Sequence, residues 1–211
     1  MLILPFQTKQ KIEMWFTLLV LLLIVLLVLS FLFVLPILKV RNDRPMKIYQ
    51  TIKQLPLIGG NVVGDWYLTR IIGLSAPYTS SISPRVELMS EEKTLISIQE
   101  RYGMKNPFNS IHAAALVNLG DLVCGIQVTN QIVPRKLRAI PVEIKAEYPK
   151  KSRGKIIASC DTKVPELDQM QLINGKPGFT AIAELRDESG DLTAKITMIW
   201  SCAAEPSKKR D

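Results

Sequence analysis

Histidine is nearly absent from this chain: 211 residues contain one, His112. A single histidine excludes every site that needs two, including the common multi-histidine metal centres. Cysteine is scarce as well. Cys124, Cys160 and Cys202 are odd in number, widely spaced and free of any Cys-x-x-Cys pair. They form neither a disulfide framework nor a metal cage, and they fit a reducing compartment. The sequence calls for no metal and no cofactor. Aromatic residues are 7% of the chain and do not interleave with basic ones, and no zinc-finger spacing occurs, so nucleic acid is not an expected partner. The net charge of +8 points to other anions, namely phospholipid head groups or a phosphorylated ligand.

Charge is missing altogether from Met14 to Leu38. At roughly 1.5 Å per residue this stretch exceeds the ~30 Å hydrocarbon core and predicts a single N-terminal transmembrane helix. Trp15 stands at one edge, where an indole favours the interface. Pro36 and Lys39 follow in place of a small-residue cleavage site, so the span is expected to be uncleaved. Lys39, Arg41, Arg44 and Lys47 follow it, against Lys9 and Lys11 before it. The positive-inside rule then puts the C-terminal domain in the cytosol, or in the matrix of a mitochondrion. The same cluster suits anionic membrane lipid. The expected organisation is a flank at 1–13, the span at 14–38, a juxtamembrane helical linker at 39–74, a domain at 75–205 and a charged, disordered tail at 206–211. Within the linker, two short helices are expected around Pro56 and Gly59-Gly60. Residues 65–72 are able to lie on a membrane or on the domain, and packing on the domain is expected.

The domain opens with strand patterns at Ile82–Met89 and Lys93–Tyr102, separated by the polar turn Ser90–Glu92. Asn106-Pro107 then breaks the extended run, and Asn109 or Ser110 is expected to cap a helix. From Ile111 to Ile132 the only charge is Asp121. A helix this apolar is expected to be wrapped by the rest of its domain. Four strands follow at Arg138–Tyr148, Gly154–Lys163, Gly178–Asp187 and Asp191–Ala203, the last two flanking a hairpin turn at Glu188–Gly190. Residues 165–177 read as a long connection. Alternation predicts that Ile140, Val142, Ile144 and Ala146 share one sheet face. No β-α-β alternation exists, and one helix cannot cover a flat sheet of this width. The pattern therefore predicts an α+β hot-dog fold, an antiparallel sheet wrapped around one long apolar helix.

The run from Asn106 through His112-Ala-Ala-Ala-Leu116 to Asp121 resembles the motif of hot-dog acyl-CoA thioesterases. Their usual form is Asn-x-x-Gly-x-x-His-Gly-Gly, followed by Asp or Glu two to three helical turns on. It is closest to a branch with His-Ala-Ala, whose domain entry the Pro77–Glu87 stretch also resembles. The resemblance covers about Ser75 to Ala203. It implies hydrolysis of a fatty acyl-CoA thioester by paired protomers, with Asp121 as general base or nucleophile. Asn106 orients the water or holds the loop, and His112 fixes the loop and donates near the thioester. The N–H groups of Ala113 and Ala114 receive the oxyanion. Asn118, Lys105, Arg135 and Lys136 are candidates for substrate binding, the three cations for phosphates. Two departures stand out: Asn109 replaces a glycine, and Ala113 and Ala114 replace two more.

Spacing adds one constraint of its own. His112 and Asp121 are nine residues apart, so on a helix they are about half a turn out of phase and about 13 Å apart along the axis. One protomer cannot bring both to one substrate atom. The resemblance supplies the remedy, a homodimer with sites at its interface. The rival reading is a non-catalytic accessory subunit of a larger membrane complex, such as a mitochondrial respiratory one, docked through the same fold.

Overall fold

The computed structural model describes residues 6–31, 44–55, 59–60 and 62–205. The chain divides into two units, before and after Asp43. In the first, Phe6–Leu29 forms helix α1. Its Gln10–Leu29 segment is long and apolar enough to cross a membrane, and none of it is buried. The expected end of the span at 32–38, the basic residues Lys39 and Arg41 and the tail at 206–211 lie outside the described residues.

In the second unit, seven antiparallel strands form one sheet: β1 Arg85–Met89, β2 Thr94–Gln99, β3 Leu137–Glu147, β4 Lys155–Cys160, β5 Gln171–Ile173, β6 Lys176–Asp187 and β7 Leu192–Ala204. Their order is β1-β2-β4-β6-β7-β3, with β5 paired to β6. The 165–177 connection thus contains a strand that its Asn-Gly signal announces. Asn174 and Gly175 both take positive φ, 51° and 76°, as a tight two-residue hairpin demands. At the β6–β7 turn, Asp187 Oδ1 accepts the N–H groups of Ser189 and Asp191 at 3.1 and 3.0 Å.

Three helices precede or adjoin the sheet: α2 Pro45–Lys53, α3 Val62–Ser75 and the single turn α4 Pro77–Ser80. The long helix α5, Ala113–Ile132, crosses one sheet face. Its Leu119, Val123 and Val128 have no exposure, nor do Ile156, Leu185, Ile196 and Met198 from the strands. Each such side chain contributes about 1.5–3 kcal/mol through burial. At Gly120 the helix lies tight against β7: an added Cβ would sit 2.5 Å from Ile196 Cγ1. One long helix in a wrapped antiparallel sheet is the hot-dog fold.

Two buried amides of α5 are spent on structure. Gln127 Oε1 accepts the Thr94 hydroxyl at 2.7 Å, and Asn130 Oδ1 accepts the Met46 N–H at 2.7 Å, which pins α2 to α5. On α3, Leu68 is buried and the Thr69 hydroxyl donates to the Pro84 carbonyl at 3.0 Å, so this helix packs on the domain.

One register expectation fails. A β-bulge between Pro141 and Glu143 inserts Val142 without a partner on β7. Ile144 and Ala146 stand opposite the buried Met198 and Ile196, facing inward. Ile140 stands opposite Ser201 and faces the other way. A bulge adds one residue to a period of two, so everything before it changes face. β3 is also an edge strand, and Ile140, Val142 and Ile144 are exposed on it.

Candidate active site at the entrance of the central helix

Asn106 builds the loop that leads into α5. Its Oδ1 accepts the N–H groups of Phe108 at 3.0 Å and Ser110 at 3.2 Å, and its Nδ2 donates to Ser110 Oγ at 3.1 Å. Its main chain closes the same turn, with Asn106 N–H donating to the Ser110 carbonyl at 2.9 Å. The side chain is committed to holding this loop. Asn109 takes φ 55°, the left-handed region. Asparagine is the residue that replaces glycine there at least cost, so this departure from the thioesterase pattern keeps a glycine-like backbone.

The helix cap is neither Asn109 nor Ser110. His112 is the N-cap, with extended backbone, and its Nδ1 accepts the Ala114 N–H at 3.1 Å. An accepting Nδ1 leaves the proton of the neutral ring on Nε2. The backbone N–H of His112 donates to the Met104 carbonyl at 2.8 Å. Of the three N–H groups at this entrance, only that of Ala113 has no partner among the described residues. A free N–H at the positive end of a 20-residue helix is suited to a developing negative charge. His112, Ala113 and Ala114 are all exposed.

A cleft of about 210 Å³ opens beside this turn. Phe108, Ile111 and Leu116 give it an apolar wall, and Tyr148, Lys151 and Ser152 bring polar groups. The Tyr148 hydroxyl lies 3.5 Å from the Ala113 carbonyl, and partial burial raises the pKa of its phenol. Ser152 is 2% exposed and its Oγ has no hydrogen-bond partner among the described residues. Lys151 is exposed and makes no ion pair among the described residues. Composition and spacing gave no signal for these three. They come from the loop after β3, which the fold folds back onto the helix start.

Asp121 lies two turns along α5 from Ala114, on the same face by the helical period. It is half-buried and has no hydrogen bond or ion pair among the described residues. Burial alone raises its pKa above the ordinary carboxylate value. Asn118, one turn earlier, is buried, and its side chain likewise makes no hydrogen bond among the described residues. An unpaired carboxylate in an apolar helix costs stability unless something uses it.

The three proposed phosphate-binding cations are not brought together in one protomer. Lys105 sits at the helix entrance, but its Nζ contacts Glu100 at 3.2 Å and Asn109 Oδ1 at 2.9 Å. Arg135 closes the other end of α5. Its guanidinium donates to the carbonyls of Gln131, Val164 and Pro165 and pairs with Glu166 at 3.2 Å. Lys136 follows with φ 52°, leading into β3. A 20-residue helix puts these two about 30 Å from Lys105.

Residues 64–201 match the family described as a domain of unknown function (DUF4442). No curated protein matches the chain. Among solved structures, it is similar to PA5026 of Pseudomonas aeruginosa, described as a probable thioesterase of unknown function. That match has 18% identity and a TM-score of 0.56, and covers 65% of this chain and 94% of that one. It is also similar to the thioesterase HI1161 of Haemophilus influenzae (13%, 0.51, 69% and 94%). The PaaI protein of the Escherichia coli phenylacetic acid degradation operon is a third likeness (13%, 0.51, 66% and 94%). At these identities the likeness establishes the fold.

Proposed function

We propose, from the premise that this chain belongs to the DUF4442 family, that it is a thioesterase-type hot-dog protein. It binds fatty acyl-CoA and hydrolyses it at a site shared by two protomers, and α1 anchors it in a membrane. The observation that carries the reading is Asp121, a half-buried carboxylate on α5 with no side-chain partner among the described residues and a raised pKa. A carboxylate whose pKa is raised by burial is a stronger base than an ordinary one. Two of the structural neighbours, PA5026 and HI1161, are described as a probable thioesterase and a thioesterase.

In this mechanism the thioester carbonyl oxygen approaches the Ala113 N–H, and His112 Nε2–H stands beside it as a second donor. Asp121 of the opposite protomer takes a proton from water, whose oxygen adds to the carbonyl carbon. The tetrahedral oxyanion is held at the helix start. The carbon–sulfur bond then breaks and the proton passes to the leaving thiolate. The apolar wall of Phe108, Ile111 and Leu116 receives the first carbons of the acyl chain, and Lys151 attracts the phosphates of coenzyme A.

The dimer is supported by β3, whose free edge carries exposed Ile140, Val142 and Ile144. An open apolar edge is a template for pairing with another strand. Two copies paired antiparallel about Val142, the midpoint of β3, set the partner's Lys136 across from Tyr148 at the cleft. That gives Lys136 a part at a site far from its own helix entrance.

The test is turnover of acyl-CoAs of several chain lengths by the purified full chain in detergent, beside Asp121→Asn. We expect hydrolysis that falls about 10²–10⁴-fold in the variant, the range of a lost general base, with the oligomeric state unchanged. Equal rates in both proteins, or none in the wild type, would overturn it and turn attention to a docking subunit of a membrane complex.

A further inference from the structure

Helices α2 and α3 both lie on the outside of the second unit, yet their outer faces differ in kind. α2 turns Lys47 and Gln50 outward and buries Met46 and Ile52, the pattern of a surface helix. α3 buries Gly64 and Leu68, but its outer face is apolar too. Val62 is 70% exposed, Trp66 56% and Leu74 83%, and Tyr78 in the following turn is 73% exposed. At 100° per residue, Val62, Trp66, Arg70 and Leu74 fall within an arc of roughly 120°. The one charge in that arc, Arg70, places its guanidinium 5.1 Å over the Trp66 ring. A helix apolar on both sides is one that is covered on both sides, and a contiguous exposed apolar stripe marks an interaction surface.

We infer that this face of α3 lies in the interfacial layer of a lipid bilayer, with Val62 and Leu74 toward the acyl chains. Trp66 and Tyr78 sit at head-group level and Arg70 meets lipid phosphate. The residue types select this occupant. Trp, Tyr and Arg carry an apolar body and a polar tip, which suits the boundary between hydrocarbon and water. The chain supplies the same conclusion: among the described residues, α3 follows the apolar helix α1 after α2. Residues 39–53 hold Lys39, Arg41, Arg44, Lys47 and Lys53 against one acid, Asp43; Arg44 and Lys53 pair with Glu91 and Asp65, and the sequence balance of the stretch remains basic, which suits anionic head groups. The inference rests on α1 as a membrane segment and is independent of the catalytic reading. Two contacts with the bilayer, one through α1 and one through α3, would fix the orientation of the domain and not only its distance from the lipid.

The experiment uses the full chain in phosphatidylcholine–phosphatidylserine nanodiscs, with a nitroxide on one introduced cysteine at a time: Val20→Cys, Gln50→Cys, Trp66→Cys or Leu74→Cys. The native Cys124, Cys160 and Cys202 are at most 2% exposed, so the introduced thiol is the one that reacts. The readout is accessibility to oxygen, which partitions into lipid, relative to a water-soluble nickel chelate. A ratio several-fold higher at 66 and 74 than at 50, with a high ratio at 20, is the expected result. A high ratio at 20 with 66 and 74 no different from 50 overturns the inference and leaves the anchor standing. A low ratio at all four positions overturns both. Labels at 66 and 74 shielded from both reagents and broadened by a neighbouring spin would show a second copy covering the face, which also overturns it.

Discussion

His112 Nδ1 accepts the Ala114 N–H at 3.1 Å, so the only histidine of the chain is a helix cap. The bond leaves Nε2–H as the ring's donor and takes one of the two expected oxyanion donors out of use while it lasts. Removing the cap tests its structural share. His112→Ala should destabilise the fold by about 0.5–2 kcal/mol, whereas His112→Asn, which keeps a capping oxygen, should stay within about 0.5 kcal/mol of wild type. Denaturant unfolding of the three proteins measures the difference, and equal losses in both variants would show that the imidazole does more than cap.

Asp121 ties activity to stability. Its folded pKa is raised by burial, so the folded state keeps the proton over a pH window in which the unfolded chain has lost it. The stability gained from that proton is fully present below the ordinary carboxylate pKa and is lost as pH rises through the folded value. Asp121→Asn carries no such penalty. Its melting temperature should match wild type in acid and exceed it at neutral pH, while turnover falls. Thermal melts across pH check both the sign and the window.

Gly120 sets the distance between α5 and β7. An added methyl would lie 2.5 Å from Ile196 Cγ1 and 2.7 Å from its Cβ, atoms that cannot swing aside without moving the strand. Gly120→Ala should therefore destabilise by about 1–3 kcal/mol, the usual cost of overpacking, although alanine is the better helix former. A shift to higher stability would mean that the helix has room to lift.

The free edge of β3 carries the dimer in this account. Ile144→Asp puts a charge on that edge where a partner strand would lie, and it should convert dimers to monomers and abolish turnover together. Light scattering after size exclusion gives the mass. A monomeric variant that still hydrolyses acyl-CoA would place a complete site within one protomer.

Much of the fold was legible because the pattern of α5 is so one-sided: a single charge in twenty residues leaves the helix no solvent face. The strands around it followed from their order and turns. Two features were hidden for physical reasons. The bulge after Pro141 leaves the apolar alternation of Ile140, Val142 and Ile144 intact in sequence while reversing the face of Ile140 in space. The short β5 is too brief to show a period, and only its Asn174-Gly175 turn betrays it. At the site, the candidate motif residues came from the resemblance to the thioesterase pattern. Tyr148, Lys151 and Ser152 did not, since tertiary folding alone brings their loop to the helix start. Arg135 drew notice as a cation, yet its charge is consumed in closing the end of α5.

A thioester site made from the helix start of one protomer and Asp121 of the other is open to a mixing experiment. Ala113→Pro deletes the one open N–H, and proline is well tolerated at the first position of a helix behind an extended residue such as His112. Alone, this variant and Asp121→Asn should each lose acyl-CoA hydrolysis. Co-refolded in equal amounts, they should recover about a quarter of wild-type activity, because random pairing makes half the dimers mixed and each mixed dimer holds one intact site. Mixed dimers with no more activity than the separate variants would contradict a shared site.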